Sequence, residues 1–150
     1  MDRIDIETIL NKIQLQTGCV CETYAHIEND DTIRIPADQL QAVIGVLMGD
    51  FDYYHLSAIT AQQREDQTDE LEVMYHFWKD TGLSLIMTLP AKLPQLTSII
   101  SIIPGADFYE REVAEMFGVT FTGRAETPPL LLPDDWDQGP PFIRDEVNNE

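Results

Sequence analysis

Apolar residues open the chain at helical spacing. Ile6, Ile9, Leu10 and Ile13 recur at intervals of three, one and three, which predicts a helix over Ile4–Leu15 with one apolar stripe. Val20–Tyr24 and Thr32–Ile35 read as short strands around the turn residues Asn29-Asp30-Asp31. Pro36 opens a second helix whose buried face is Leu40, Val43, Ile44, Leu47 and Met48, with Gly49-Asp50 as its end. The period then changes from helical to two. Tyr53–Thr60, Leu71–Lys79 and Leu83–Leu89 are three strands, separated by a polar loop at Gln62–Asp69 and a tight turn at Asp80-Thr81-Gly82. Leu71, Val73, Tyr75 and Phe77 share one face of the middle strand, and Trp78 on the opposite face is assigned to packing. Such alternation predicts antiparallel strands with one face on a core. Ser98–Ile103 fits a short helix or another strand equally well.

Ala106–Phe117 is again helical and is closed by Gly118. Beyond Thr122 the periodicity fades, and Pro128, Pro129, Pro133, Pro140 and Pro141 crowd the sequence. The expected fold is therefore α+β, a mostly antiparallel sheet packed by helices. Residues 1–121 form the domain and 122–150 an irregular proline-rich arm. The arm cannot build a core, so it either stays mobile or lies along a partner.

The helix over Ala106–Phe117 carries the candidate chemistry. Ala106, Tyr109, Val113, Met116 and Phe117 fall on one face, with Glu110 on one flank and Glu112 on the other. Arg111 and Glu115 are spaced to pair, and Asp107 either starts a capping box with Glu110 or joins Arg111. A solvated charged face accounts for such a run in many helices. Carboxylates bordering an apolar stripe are also suited to arginines brought by another subunit.

Charge narrows the choice. The formal net charge is −18, which excludes a default nucleic-acid binder and argues against docking on an anionic membrane. No apolar run reaches the length of a membrane helix, and the N-terminus lacks a signal-peptide pattern, so the expected location is cytoplasmic or on the cytoplasmic face of a membrane. Cys19 and Cys21, spaced as on a strand, are too close for an easy disulfide and too few for zinc or a cluster. His26, His55 and His76 are scattered, although His55 and His76 lie on neighbouring strands and can face each other. Glu110, Glu112, Glu115, Asp134 and Asp135 offer acid–base pairs, but no pocket motif accompanies them, and Asp134-Asp135 suits a turn after Pro133.

Three blocks in order carry a family resemblance. Glu110-Arg111-Glu112-x-x-Glu115-Met116-Phe117-Gly118 resembles the signature of the respiratory-chain NADH dehydrogenase 30 kDa subunit family. Leu131-Leu132-Pro133-Asp134-Asp135-Trp136 is similar to its next block, and Gly139, Pro141, Arg144 and Asp145 to its closing stretch. In length, and in Pro128-Pro129 before Leu130, the chain looks more like the homologues in energy-converting membrane-bound nickel–iron ([NiFe]) hydrogenases. It departs from the family in having Arg124 alone where bases cluster, and one base fewer in Pro141-Phe142-Ile143-Arg144-Asp145.

The resemblance implies a non-catalytic structural or assembly subunit in the hydrophilic arm of a membrane-bound redox complex. It implies no cofactor or metal in this chain, with iron–sulfur clusters and a [NiFe] centre or quinone held by partner subunits. The partners implied are a large catalytic subunit, quinone-site or [NiFe] type, and iron–sulfur subunits. The implied interface residues are Glu110, Arg111, Glu112, Glu115, Phe117, Gly118, Asp134, Asp135, Trp136, Arg144 and Asp145. Glu110 and Glu112 accept from partner arginines, Arg111 organises the chain itself, and Phe117 and Trp136 are buried anchors. From its setting alone, Trp136 is either a pin to its own domain or an anchor to a partner. A different reading of the −18 charge is a free acidic binding module or charge-mimic inhibitor.

Overall fold

The computed structural model describes residues 4–27 and 30–144, the side chains of residues 26 and 27 excepted. The elements in chain order are helix α1 (Ile6–Thr17), strands β1 (Glu22–Ile27) and β2 (Asp30–Arg34), helix α2 (Leu40–Phe51), strands β3 (His55–Arg64), β4 (Gln67–Lys79), β5 (Thr81–Pro90) and β6 (Gln95–Thr97), helix α3 (Asp107–Phe117) and strand β7 (Thr120–Thr122). Short 3-10 turns, Ala37–Gln39 and Pro104–Ala106, lead into α2 and α3. The class is α+β, as the periodicity predicts.

A five-stranded sheet has the order β1-β2-β5-β4-β3. β3, β4 and β5 follow one another through very short turns, Glu65-Asp66 and the single residue Asp80. Turns that short join only antiparallel neighbours. Asp80 takes φ 56°, the left-handed geometry such a turn needs. The polar loop expected over Gln62–Asp69 is mostly strand, because the ladder continues to Arg64 and resumes at Gln67.

One pairing departs from the antiparallel expectation. β2 runs parallel to β5, with Ile33 opposite Leu85. The chain leaves β2 through α2, which supplies the crossover that a parallel pair requires. Asp30 and Asp31, expected in a turn, begin β2 instead, and Asn29 lies outside the described residues. β5 is central, so its residues from Gly82 to Met87 are all buried rather than alternating. A second, two-stranded sheet pairs β6 and β7 in parallel, with α3 as the crossover between them. Ser98–Ile103 is neither helix nor strand but a turn.

The contacts divide the chain into two compact units, Met1–Ala58 with Met74–Met87, and Ile59–Val73 with Thr88–Glu150. The first unit buries Ile9 and Ile13 of α1, Leu40, Ile44 and Leu47 of α2, and Ile33, Tyr75, Phe77 and Leu85 of the sheet. α1 packs on α2. α2 runs through Gly49-Asp50 and ends at Asp52, which takes the left-handed cap conformation. Trp78 is half exposed, on the solvent face opposite Phe77, and so does not pack as expected. The second unit buries Ile59, Leu71, Val73, Leu96, Ile99, Val113 and Phe121.

His55 is exposed, whereas His76 is half-buried. The His76 Nδ1 lies 2.8 Å from Oγ of Ser84 on β5. Burial lowers the His76 pKa below the ordinary 6.5, with the charge of Asp30 opposing. The unfolded chain therefore takes up this proton first as pH falls, so stability present above pH 6.5 is lost as pH drops below it. Urea unfolding between neutral and mildly acid pH is expected to show this slope, and His76→Gln to flatten it. An unchanged slope in the variant would assign it to another group.

Candidate functional site

α3 presents carboxylates at Asp107, Glu110, Glu112 and Glu115, and each meets a different environment. Glu110 is completely buried. Its Oε1 accepts the Ile99 N–H at 2.7 Å, and its Oε2 accepts the Ser98 hydroxyl at 2.7 Å and the Arg124 Nη1–H at 2.9 Å. The other Arg124 branch, Nη2, donates to Asp107 Oδ1. Asp107 and Glu110 are three apart, one turn of helix, so a single guanidinium fork spans both. Burial works against the Arg124 charge, but hydrogen bonds to Asp107 and Glu110 outweigh it and raise its pKa above the arginine norm.

This overturns one expected role. Glu110 is not an acceptor for a partner's arginine, because Arg124 of its own chain and the turn at Ser98-Ile99 fill its carboxylate. No capping box forms either. The α3 N-cap is Ala106 and has no side-chain cap, and Asp107 instead pairs with Arg124 and, at 3.9 Å, with Arg111.

Arg111 does organise its own chain. Its Nη2 donates to the Pro128 carbonyl at 3.1 Å, and its guanidinium lies 5.8 Å from the centre of the exposed Phe108 ring. It does not pair with Glu115. Glu115 accepts the backbone N–H groups of Leu130 at 2.5 Å and Leu131 at 2.8 Å. These two amides follow Pro128-Pro129, where the chain has no donors of its own. Between α3 and the strand-to-arm segment lies a groove of about 390 Å³, lined by Arg111, Glu115, Arg124, Pro128 and Leu130 among others.

The arm is thus laid along its own helix. Further on, the Trp136 N–H donates to the Pro133 carbonyl at 3.0 Å, so Asp134-Asp135 are the exposed centre of a turn. The Trp136 indole N–H donates to the Gly139 carbonyl at 2.7 Å, and the residue stays 38% exposed. It pins the arm's own turn. The Phe142 N–H donates to the Met116 carbonyl at 2.9 Å, and the Phe142 ring meets the half-buried Phe117 edge-on at 5.6 Å. Gly118 closes α3 at φ 74°, and a Cβ there would stand 2.8 Å from Pro140 Cγ. Glycine is thus required twice over, by the cap and by the arm. Arg144 donates its N–H to Gln63 Oε1 at 2.6 Å and pairs with Glu65 at 2.8 Å. Asp145 lies outside the described residues.

Glu112 stands apart. It is exposed on α3, one turn from the exposed Phe108, and has no hydrogen-bond or ion-pair partner among the described residues. Sequence reasoning missed Arg124 and Gln63 as the residues that secure the arm. The signal for Arg124 was present, since it is the sole base between Arg111 and Arg144 in a strongly acidic stretch. Nothing in the spacing of Gln63 marks it.

Among the described residues no helix is long and apolar enough to cross a membrane, and no group of three or more His, Cys, Asp or Glu is placed to hold a metal ion. Residues 33–149 match the family model described as respiratory-chain NADH dehydrogenase, 30 Kd subunit. The C subunit of the F(420)H(2) dehydrogenase of Methanosarcina mazei is 32% identical over 139 residues, covering 88% of this chain and 85% of that protein. The C subunit of the NADH-quinone oxidoreductase of Roseiflexus castenholzii is 25% identical over 147 residues, covering 95% and 84%. Among solved structures, a chain of the membrane-bound sulfane sulfur reductase, an archaeal respiratory membrane complex, superposes with TM-score 0.72 at 24% identity. The match covers 86% of this chain and 77% of that one.

Proposed function

Because the chain belongs to the respiratory-chain NADH dehydrogenase 30 kDa subunit family, we propose that it is a structural and assembly subunit of a membrane-bound redox complex. It docks on the large catalytic subunit, of quinone-site or [NiFe] type, beside iron–sulfur subunits that carry the electrons. The chain itself holds no electron-carrying cofactor. It sits peripherally on the cytoplasmic face through its partners.

One observation supports docking most directly. α3 spends Asp107, Glu110 and Glu115 on its own arm, yet leaves Glu112 and Phe108 exposed one turn apart. An aromatic ring beside a carboxylate suits a partner pocket rimmed by arginine or lysine. The arm adds exposed Leu131 and Phe142. It is already laid down by hydrogen bonds, so binding costs less ordering entropy than it would for a free tail. Excess negative charge favours approach to a basic partner surface.

Affinity purification of the tagged chain from its native membranes in mild detergent tests the proposal. Mass spectrometry at moderate salt is expected to find a large quinone-site or [NiFe]-type subunit with iron–sulfur subunits. The accompanying proteins would name the donor as NADH, hydrogen or, as in the Methanosarcina relative's name, F(420)H(2). Recovery of the chain alone, or of assorted basic proteins lost as salt rises, would replace the scaffold with a free acidic module.

A further inference from the structure

Cys19 and Cys21 occupy the irregular segment between Gly18, the left-handed cap of α1, and the start of β1. The strand expected from Val20 begins only at Glu22. On a strand, side chains two residues apart stand a full repeat from each other. Here the backbone turns instead, and the two sulfurs lie 3.3 Å apart. The α1 C-terminus holds this turn. The Thr17 hydroxyl donates to the Ile13 carbonyl at 2.7 Å and accepts the Cys19 N–H at 3.0 Å. Cys19 is buried and Cys21 partly exposed.

We propose that Cys19 and Cys21 form an oxidation site, a dithiol that small organic disulfides convert reversibly into an intrachain disulfide. The exposed member meets the reagent first. The Cys21 thiolate attacks one sulfur of the small disulfide, a mixed disulfide forms, and one small thiol leaves. The Cys19 thiolate then attacks Cys21 Sγ and displaces the second small thiol. The protein gives up two protons and two electrons, and the small disulfide becomes two thiols.

Two features make the site reversible rather than a structural staple. The ring closed by the bond spans only three residues, so it removes little chain entropy from the unfolded state. The sulfurs are already adjacent, so closing to about 2 Å is a local movement. Burial, then the hydrogen bond and charge of Cys19, push the Cys21 thiol up to about 12, so Cys21 rests protonated at neutral pH and its attack is slow. The −18 charge favours uncharged oxidants over anionic ones.

The test treats the full chain with hydroxyethyl disulfide, an uncharged small disulfide, and follows intact mass and free thiols. The wild type is expected to lose two hydrogens, keep no adduct and regain both thiols with excess small thiol. Cys19→Ser is expected to stop at a stable adduct on Cys21, and Cys21→Ser to react far more slowly. A stable adduct on wild-type Cys21 would overturn the proposal. So would a wild type that stays reduced under conditions where Cys19→Ser is modified, or a Cys19→Ser that takes no adduct.

Discussion

Arg124→Ala is expected to destabilise the chain by about 3–5 kcal/mol, the cost of leaving a fully buried carboxylate without its counter-charge. Glu110 is the group left behind, wholly buried and held by Ser98, Ile99 and Arg124. Asp107 loses its closer partner in the same step and keeps Arg111 at 3.9 Å. The loss would read out in urea unfolding of the whole chain. Arm release would read out as proteolytic cleavage after residue 124, since the segment from Ala125 onward would lose its anchor at the base of the groove. Replacing both members, Glu110→Leu with Arg124→Met, is expected to recover part of the loss. Recovery stays partial because the Ile99 N–H would lose its buried acceptor, at about 1–3 kcal/mol. A loss below about 1 kcal/mol for Arg124→Ala would show that water or a rearranged neighbour reaches Glu110.

Glu112→Arg is expected to act in the opposite place, on assembly and not on folding. Glu112 is exposed and unpaired among the described residues, so the isolated chain should change by no more than about 0.5 kcal/mol. Against a basic partner surface, charge reversal sets like charges together and costs about 2–5 kcal/mol, a fall of roughly 30-fold or more in affinity. Quantitative co-purification of the large subunit from membranes checks this, with thermal unfolding of the free variant alongside. Full assembly with Glu112→Arg would take this flank of α3 out of the interface. The two variants separate two kinds of carboxylate that one helical run places side by side.

Much of the fold is legible from local pattern. The α1, α2 and α3 stripes and the Leu71-Val73-Tyr75-Phe77 alternation each express a period repeated within a few residues, and the buried residues follow it. The ends of elements are less legible. Gly49-Asp50 reads as a stop, but α2 continues to Phe51 because its last turn still buries that ring. The parallel β2–β5 and β6–β7 pairs leave no trace in the pattern, since each joins segments separated by a helix. No local period records which strand lies alongside.

The same division holds for the site. Residue pattern was enough for the α+β class, the α3 helix with Gly118 as its stop, the family, and the turn at Asp134-Asp135. Which acids are spent was settled by tertiary packing alone. A helical wheel sets Glu110 and Glu112 on the two borders of one apolar stripe, and the wheel treats them alike. The turn after β6 covers one border, and Arg124 arrives from beyond β7 to neutralise it. The other border stays open. Cys19 and Cys21 show the same thing at short range, because the left-handed end of α1, not the C-x-C spacing, brings their sulfurs together. Periodicity is a local property of backbone geometry, whereas the partner of a charge or a thiol is set by where the rest of the chain is led.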